Sequence, residues 1–222
     1  MSKPEGVYPH LAFGPAPQDR PYVYINMVAT IDGKTVSGER DEPVQDLGSD
    51  LDHATMRQIE NHSDAVLVGA GSLRATRKMN YPDSLVRIVA TGSGEVPEDH
   101  QFFSENSLVA TTSLGYTNLE DKERAIVCGE DSVDWKQLLK VLRDRGIEKL
   151  LVEGGSEVNG SLLKEDLVDE LFLTLAPKVK LGRTTPTYAG GDPLERECML
   201  QFHLVSSITI GNEVFVRYRR DR

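Results

Sequence analysis

Apolar residues fall in short blocks along this chain, and the period of the pattern changes from block to block. Residues 22–29 form a β-rich block, and 65–68, 86–90, 108–111, 125–128 and 150–152 are short continuous apolar runs. Runs of that length fit strands buried on both faces. Between two of them, Trp135, Leu138, Leu139 and Leu142 recur at i, i+3, i+4 and i+7, the stripe of a helix laid on a core. Asp134 stands where a helix cap belongs, Gln137 where it would complete a capping box, and Gly146 where the helix should end. A weaker helical pattern covers 50–61, and a further helix is expected over 156–164. Strands alternating with helices predict an α/β fold with a mostly parallel sheet. The end of the chain differs: 202–210 and 213–219 read as two strands meeting at Gly211-Asn212, residues suited to a tight hairpin turn. The sheet is therefore expected to be mixed, with an antiparallel hairpin at its C-terminal end.

The first twenty residues contain Pro4, Pro9, Pro15 and Pro17, which remove backbone donors and disfavour helix and inner strand. They read as an irregular arm without the apolar segment of a signal peptide, ahead of a single domain over 21–222. The chain has 222 residues, 39% of them hydrophobic and 27% charged, a globular composition. The longest apolar runs fall far short of the ~20 residues of a membrane span. The formal net charge is -10, so the field that draws proteins to nucleic acid is lacking. The only basic cluster, residues 217–222, reads as a solvated strand end and tail. Cys128 and Cys198 are isolated and form no CxxC, which fits a reducing, cytoplasmic setting.

Two glycine turns follow apolar runs. In Val68-Gly69-Ala70-Gly71-Ser72-Leu73-Arg74, paired glycines let backbone amides approach a phosphate, but Arg74 stands where the dinucleotide fingerprint has its third glycine. In Glu153-Gly154-Gly155-Ser156-Glu157-Val158-Asn159-Gly160-Ser161-Leu162, the first amides of the expected helix attract anions. Ser161 and Leu162 replace the Lys-Ser/Thr of an NTPase loop. For both turns a phosphate cradle and a plain glycine turn are open readings. The five histidines show no metal spacing, and neither HExxH nor GxSxG occurs. Two phosphate-friendly turns without a metal motif suggest a nucleotide cofactor.

These motifs together resemble the riboflavin-biosynthesis reductases, relatives of dihydrofolate reductase in fold. Met27-Val28-Ala29-Thr30-Ile31-Asp32-Gly33-Lys34 is similar to their opening strand. Asp64-Ala65-Val66-Leu67-Val68-Gly69-Ala70-Gly71-Ser72 is similar to their second strand and cofactor turn, and Leu151-Val152-Glu153-Gly154-Gly155-Ser156 to their L-x-E-G-G turn. Val168-Asp169-Glu170-Leu171, Ala176-Pro177-Lys178 and Pro186-Thr187-Tyr188 follow in the same order. The resemblance implies a homodimer that reduces a pyrimidine ribosylamine 5′-phosphate at the ribosyl C1′ with NADPH. It places Gly69, Gly71, Ser72, Thr76, Thr91, Gly92, Gly154, Gly155, Ser156, Glu157, Val158 and Asn159 on the cofactor. It places Thr30, Asp32, Glu153 and Arg57 on the substrate, with Asp32 and Glu153 as the catalytic carboxylates. The zinc deaminase that some members carry ahead of the reductase has no ligand motif here.

Two departures bear on the substrate. Ala75-Thr76-Arg77-Lys78-Met79 replaces the family's Asp-Asp-Pro segment, with Thr76 at the position of the first acid. Glu60 stands about where some members carry an arginine for the substrate phosphate; Arg57, Arg74 and Arg77 are the nearby cations. A paralogous reductase of another small heterocycle and a non-catalytic nucleotide-binding domain are the alternatives these departures raise.

Overall fold

In a computed structural model, which describes residues 6–39, 42, 44, 46–76 and 78–222, the chain runs through nine strands and five helices. The strands are β1 (Tyr22–Thr30), β2 (Ala65–Gly69), β3 (Val86–Thr91), β4 (Ser107–Thr111), β5 (Ala125–Val127), β6 (Lys149–Val152), β7 (Glu170–Ala176), β8 (Phe202–Ile210) and β9 (Glu213–Arg220). The helices are α1 (Asp50–Glu60), α2 (Ala70–Ala75), α3 (Ser113–Tyr116), α4 (Trp135–Asp144) and α5 (Ser156–Lys164). The strands read from the sequence are there, each within one residue at either end. β7 is the addition. Its run Glu-Leu-Phe-Leu-Thr-Leu-Ala opens on a charge that reads as a strand boundary, but Glu170 is wholly buried inside an ion cluster.

All nine strands share one sheet in the order β5-β4-β3-β2-β6-β1-β7-β9-β8. Every pairing from β5 to β7 is parallel, and β9 and β8 add antiparallel at the far edge. Gly211, at φ +60°, and Asn212 make the two-residue turn between paired Ile210 and Glu213. The inner strands are apolar on both faces because both faces are covered. Val23, Ile25, Ala65 and Leu67 point towards α4 and α5, while Tyr22, Tyr24, Val66 and Val68 point towards the arm, α1 and α2. Among the described residues, no helix is long and apolar enough to cross a membrane.

The α4 stripe is buried at Trp135, Leu138, Leu139 and Leu142, and the Asp134 carboxylate caps the helix by accepting from Gln137 N. The capping box is not completed. Asp134 N donates to the Cys128 carbonyl, so the Gln137 side chain turns instead to accept from Gly129 N. Gly146, at φ +87°, ends the helix as expected.

The basic C-terminus is not a solvated tail. Arg217 is buried against Glu170 at 2.7 Å, and Arg219 reaches the same carboxylate at 2.6 Å. Arg220 pairs with Asp166, and Arg222 with Asp169, which also holds Arg20. A buried carboxylate requires such partners, which sequence spacing does not reveal.

Candidate functional site

The sequence order β1 to β2 skips the position filled by β6, so a crevice opens at the carboxyl ends of β2, β6 and β1, the usual ligand position in an open α/β sheet. A cavity of about 660 Å³ occupies it. Its walls come from two sources.

One wall is backbone and small side chains. Gly69 ends β2 and donates to the Gly154 carbonyl at 2.7 Å, so the two glycine turns touch each other. The first is tight: α2 begins at Ala70, immediately after the strand. A Cβ on Gly69 would lie 3.0 Å from Val158, and a Cβ on Gly155 would lie 2.9 Å from the Ser72 hydroxyl. At Gly71 and Gly92 a Cβ would meet nothing within 4 Å. Both glycines line the cavity, with Ser72, Thr76, Thr91, Gly155, Ser156, Glu157 and Val158. Gly155 caps α5 without a side-chain hydrogen bond, and the first turn of the helix borders the cavity.

The opposite wall is side chain. On α1, His53, Met56, Arg57 and Glu60 repeat at i, i+3, i+4 and i+7 along the cavity. Glu60 is fully buried and held by Arg57 at 2.6 Å, and Arg57 also bonds the Asn80 carbonyl. Glu153, at the end of β6, accepts from the Tyr81 hydroxyl through Oε2 at 2.7 Å. Its Oε1 is buried without a partner. Burial raises Glu60 from 4.5 to about 7 against the pull of Arg57. Burial, and next the charge of Glu60, raises Glu153 from 4.5 to about 8. Burial and the neighbouring Glu153 push the Tyr81 phenol well above its ordinary value. Two carboxyl groups in one apolar wall cannot both ionise cheaply, so the pair holds a proton near neutrality.

The remaining expected residues lie outside the cavity lining. Gly154, at φ +84°, sits beneath it, and its peptide with Gly155 is cis. Asn159 is buried and donates to the Tyr188 carbonyl at 2.6 Å. Thr30 and Asp32 belong to the turn after β1. There the Asp32 carboxylate accepts from Thr30 Oγ1 and from the amides of Lys180 and Leu181. These hydrogen bonds, led by that from Thr30, lower Asp32 from 3.8 to about 2. Arg74 lines the cavity edge and bonds the Glu95 carbonyl. Arg77 lies outside the described residues.

Sequence reasoning missed Tyr81, and it read Glu60 only as a departure. A signal was present for Glu60: a helix whose buried face includes a glutamate must pair it or use it. No local pattern brings Tyr81 to Glu153 across 72 positions.

A family model described as "RibD C-terminal domain" matches residues 21–216. The chain belongs to the RibD C-terminal domain family. A 2,5-diamino-6-ribosylamino-4(3H)-pyrimidinone 5′-phosphate reductase from Methanothermobacter thermautotrophicus is 29% identical over 219 residues, covering 90% of this chain and 98% of the relative. A pyrimidine reductase-like protein of Corynebacterium diphtheriae superposes with a TM-score of 0.76 at 20% identity, over 92% of this chain and 93% of that one. Dihydrofolate reductase from Enterococcus faecalis superposes at 0.53 and 13% identity, over 92% and 98%. The expected dihydrofolate-reductase-like fold, a mixed and mostly parallel sheet with a C-terminal hairpin, is thus the fold found. Family and fold imply a nicotinamide cofactor. The glycine wall fits one, since close backbone approach at Gly71 and Gly92 leaves room that a side chain would fill.

Proposed function

We propose that this protein is a reductase of riboflavin biosynthesis. It reduces a (di)aminopyrimidine ribosylamine 5′-phosphate at the ribosyl C1′ and takes its electrons from NADPH. The observation that carries this reading is the extent of the family match. It spans every strand that opens on the cleft, and the methanobacterial relative is matched nearly end to end.

When bound, the reduced nicotinamide supplies the hydrogen and electron pair that C1′ gains. The residues of the chain do the rest. The amides of Gly155, Ser156 and Glu157 and the start of α2 at Gly71-Ser72 hold the pyrophosphate. Thr91 and Gly92 flank the adenosine end, and Arg74 offers the positive charge that would favour a 2′-phosphate. Opening the sugar and forming the amine consume a proton, and the Glu60–Glu153 pair holds one beside the substrate. Glu153 also accepts hydrogen bonds from the pyrimidine or the ribityl hydroxyls, and Arg57 meets the phosphate side. Thr30 and Asp32 act through the β1 turn, keeping Met27 and Val28 in the cleft wall.

Residues 21–222 act as one reductase domain behind an N-terminal arm, in the cytoplasm. The protein works as a homodimer through β8 and the loop after β7, where Leu204, Val205, Ile210, Val179 and Leu181 are exposed. Sedimentation at micromolar concentration tests this: a species of monomer mass rejects it. The functional reading is tested by following NADPH oxidation with the pyrimidine ribosylamine phosphate as acceptor. NADPH binding without oxidation would leave a nucleotide-binding domain or a reductase of another heterocycle.

A further inference from the structure

The family match begins at residue 21, yet residues ahead of it are seated on the core. Val7, Tyr8 and Leu11 are buried. Phe13 stacks on Tyr24 with ring centroids 4.2 Å apart, and Tyr8 meets the edge of Phe172 at 5.3 Å. Arg217 donates to the Ala12 carbonyl at 2.6 Å.

Where it crosses α1, the arm is clasped. Val7 N donates to Thr55 Oγ1 at 3.3 Å. Gln58 grips Tyr8 on both sides: its Oε1 accepts from Tyr8 N at 3.1 Å, and its Nε2 donates to the Tyr8 carbonyl at 2.6 Å. Gly6 lies so close that a Cβ there would stand 2.8 Å from Cβ of Gln58. The helix thus has three working faces. Thr55 and Gln58 meet the arm, Ile59 sinks into the core, and His53, Met56, Arg57 and Glu60 line the cleft.

We propose that residues 6–13 are a strap that seats α1, and that Gln58 is the positioning residue through which the strap sets the substrate wall. An isolated helix of 11 residues is marginal, so its position depends on what it packs against. Its other ties include Ser49 to Glu213 at the start, Arg57 to the Asn80 carbonyl on the cleft side, and Ser63, just beyond the end, to the Tyr24 hydroxyl at 2.6 Å. On the arm side the strap holds the middle. A shift of about 1 Å in a positioning element costs on the order of 10²-fold in rate. The glycine wall shares no element with α1, so the effect is confined to the substrate half.

This proposal rests on the reductase reading, and the test separates the two. Gly6→Val and Gln58→Leu are made in the full chain; neither position lines the cleft. KM for the pyrimidine ribosylamine phosphate should rise roughly tenfold, the loss of about one buried hydrogen bond. The NADPH Kd should stay within about twofold, less than the effect of one hydrogen bond. Gln58→Glu keeps the acceptor for Tyr8 N and loses the donor, so its KM should fall between. Hydrogen exchange of α1 amides should quicken while β2 and α5 keep theirs. Wild-type KM in both variants, with faster exchange or a lower Tm, would make the strap a stability device and overturn the proposal. So would a parallel loss of NADPH affinity. If the wild-type protein binds NADPH but does not reduce the pyrimidine, the functional reading fails on its own. Exchange then decides, and unchanged α1 protection rejects the strap.

Discussion

The two walls of the cleft are built on opposite plans. The glycine wall presents backbone and small side chains at strand ends, and its chemistry is the partial charge of amides. The α1 wall presents long side chains, two of them buried carboxyls, and its chemistry is ionisation. A backbone wall depends on side chains being absent, so it tolerates almost no addition. A side-chain wall depends on mutual electrostatics, so it can be retuned one residue at a time. That contrast fits the proposed division, with the cofactor on the first wall and the substrate on the second.

The largest effect expected is on the first wall. Gly155→Val places a Cβ 2.9 Å from the Ser72 hydroxyl and further methyl groups beyond it. Overpacking of that kind costs about 1–3 kcal/mol, and the displaced turn also loses its amide geometry. NADPH should bind roughly 100-fold more weakly, read by quenching of protein fluorescence. Gly71→Val sharpens the point. Its Cβ meets no neighbour, so the fold should hold while cofactor affinity falls. Wild-type affinity in both variants would remove the cofactor from this wall.

Next comes Glu153→Gln, which keeps the shape and removes the titratable group. Breaking a buried polar pairing costs about 1–3 kcal/mol, or roughly 5- to 150-fold in kcat/KM for the pyrimidine, with NADPH affinity intact. A lowered Tm with unchanged substrate kinetics would instead assign Glu153 to the fold.

Glu60→Gln tests whether the carboxyls act as a pair. Removing the Glu60 charge, and freeing Arg57 to attract Glu153, should lower the Glu153 titration from about 8. The alkaline limb of kcat/KM therefore moves to lower pH. The other groups facing Glu153, which are Asp52, Tyr81 and Arg57, are unchanged in the variant. Stability carries the same sign. Both folded values lie above 4.5, so between about 4.5 and 8 the folded state holds more protons than the unfolded one. Stability falls as pH rises through that window, and the fall should be shallower without Glu60. An unshifted limb would show that the two carboxyls titrate independently.

The same contrast governs what could be read from the sequence. Gly69, Gly71 and Gly155 are legible as candidates for a backbone wall because glycine lets other groups approach the chain closely, although a plain turn uses the same residue. The strand at 65–69 is legible because it is a short continuous apolar run, and the α4 stripe because its burial is periodic. The Tyr81–Glu153 bond and the Tyr8–Gln58 clasp join residues 72 and 50 positions apart, and nothing local encodes their partner. Arg217 and Glu170 failed for the same reason: each reads as solvated until the other is placed beside it.

The smallest effect expected is at Asp32, the carboxylate that the resemblance places on the substrate. Its oxygens are engaged by Thr30, Lys180 N and Leu181 N, outside the cleft lining. Asp32→Asn keeps an acceptor for one of the two amides and removes the charge that the three donors favour. Because the folded value is lowered from 3.8 to about 2, the charged form's contribution to stability is present above 3.8 and is lost as pH falls through 2. The group is exposed, so solvent screens most of that contribution. The variant should therefore lose a little Tm near neutral pH and converge with the wild type in strong acid. Its kcat/KM should change by less than about fivefold, the lower bound given above for a residue that bonds the substrate itself. A loss approaching that of Glu153→Gln, with the Tm unchanged, would move Asp32 from the brace of the β1 turn into contact with the reacting molecule.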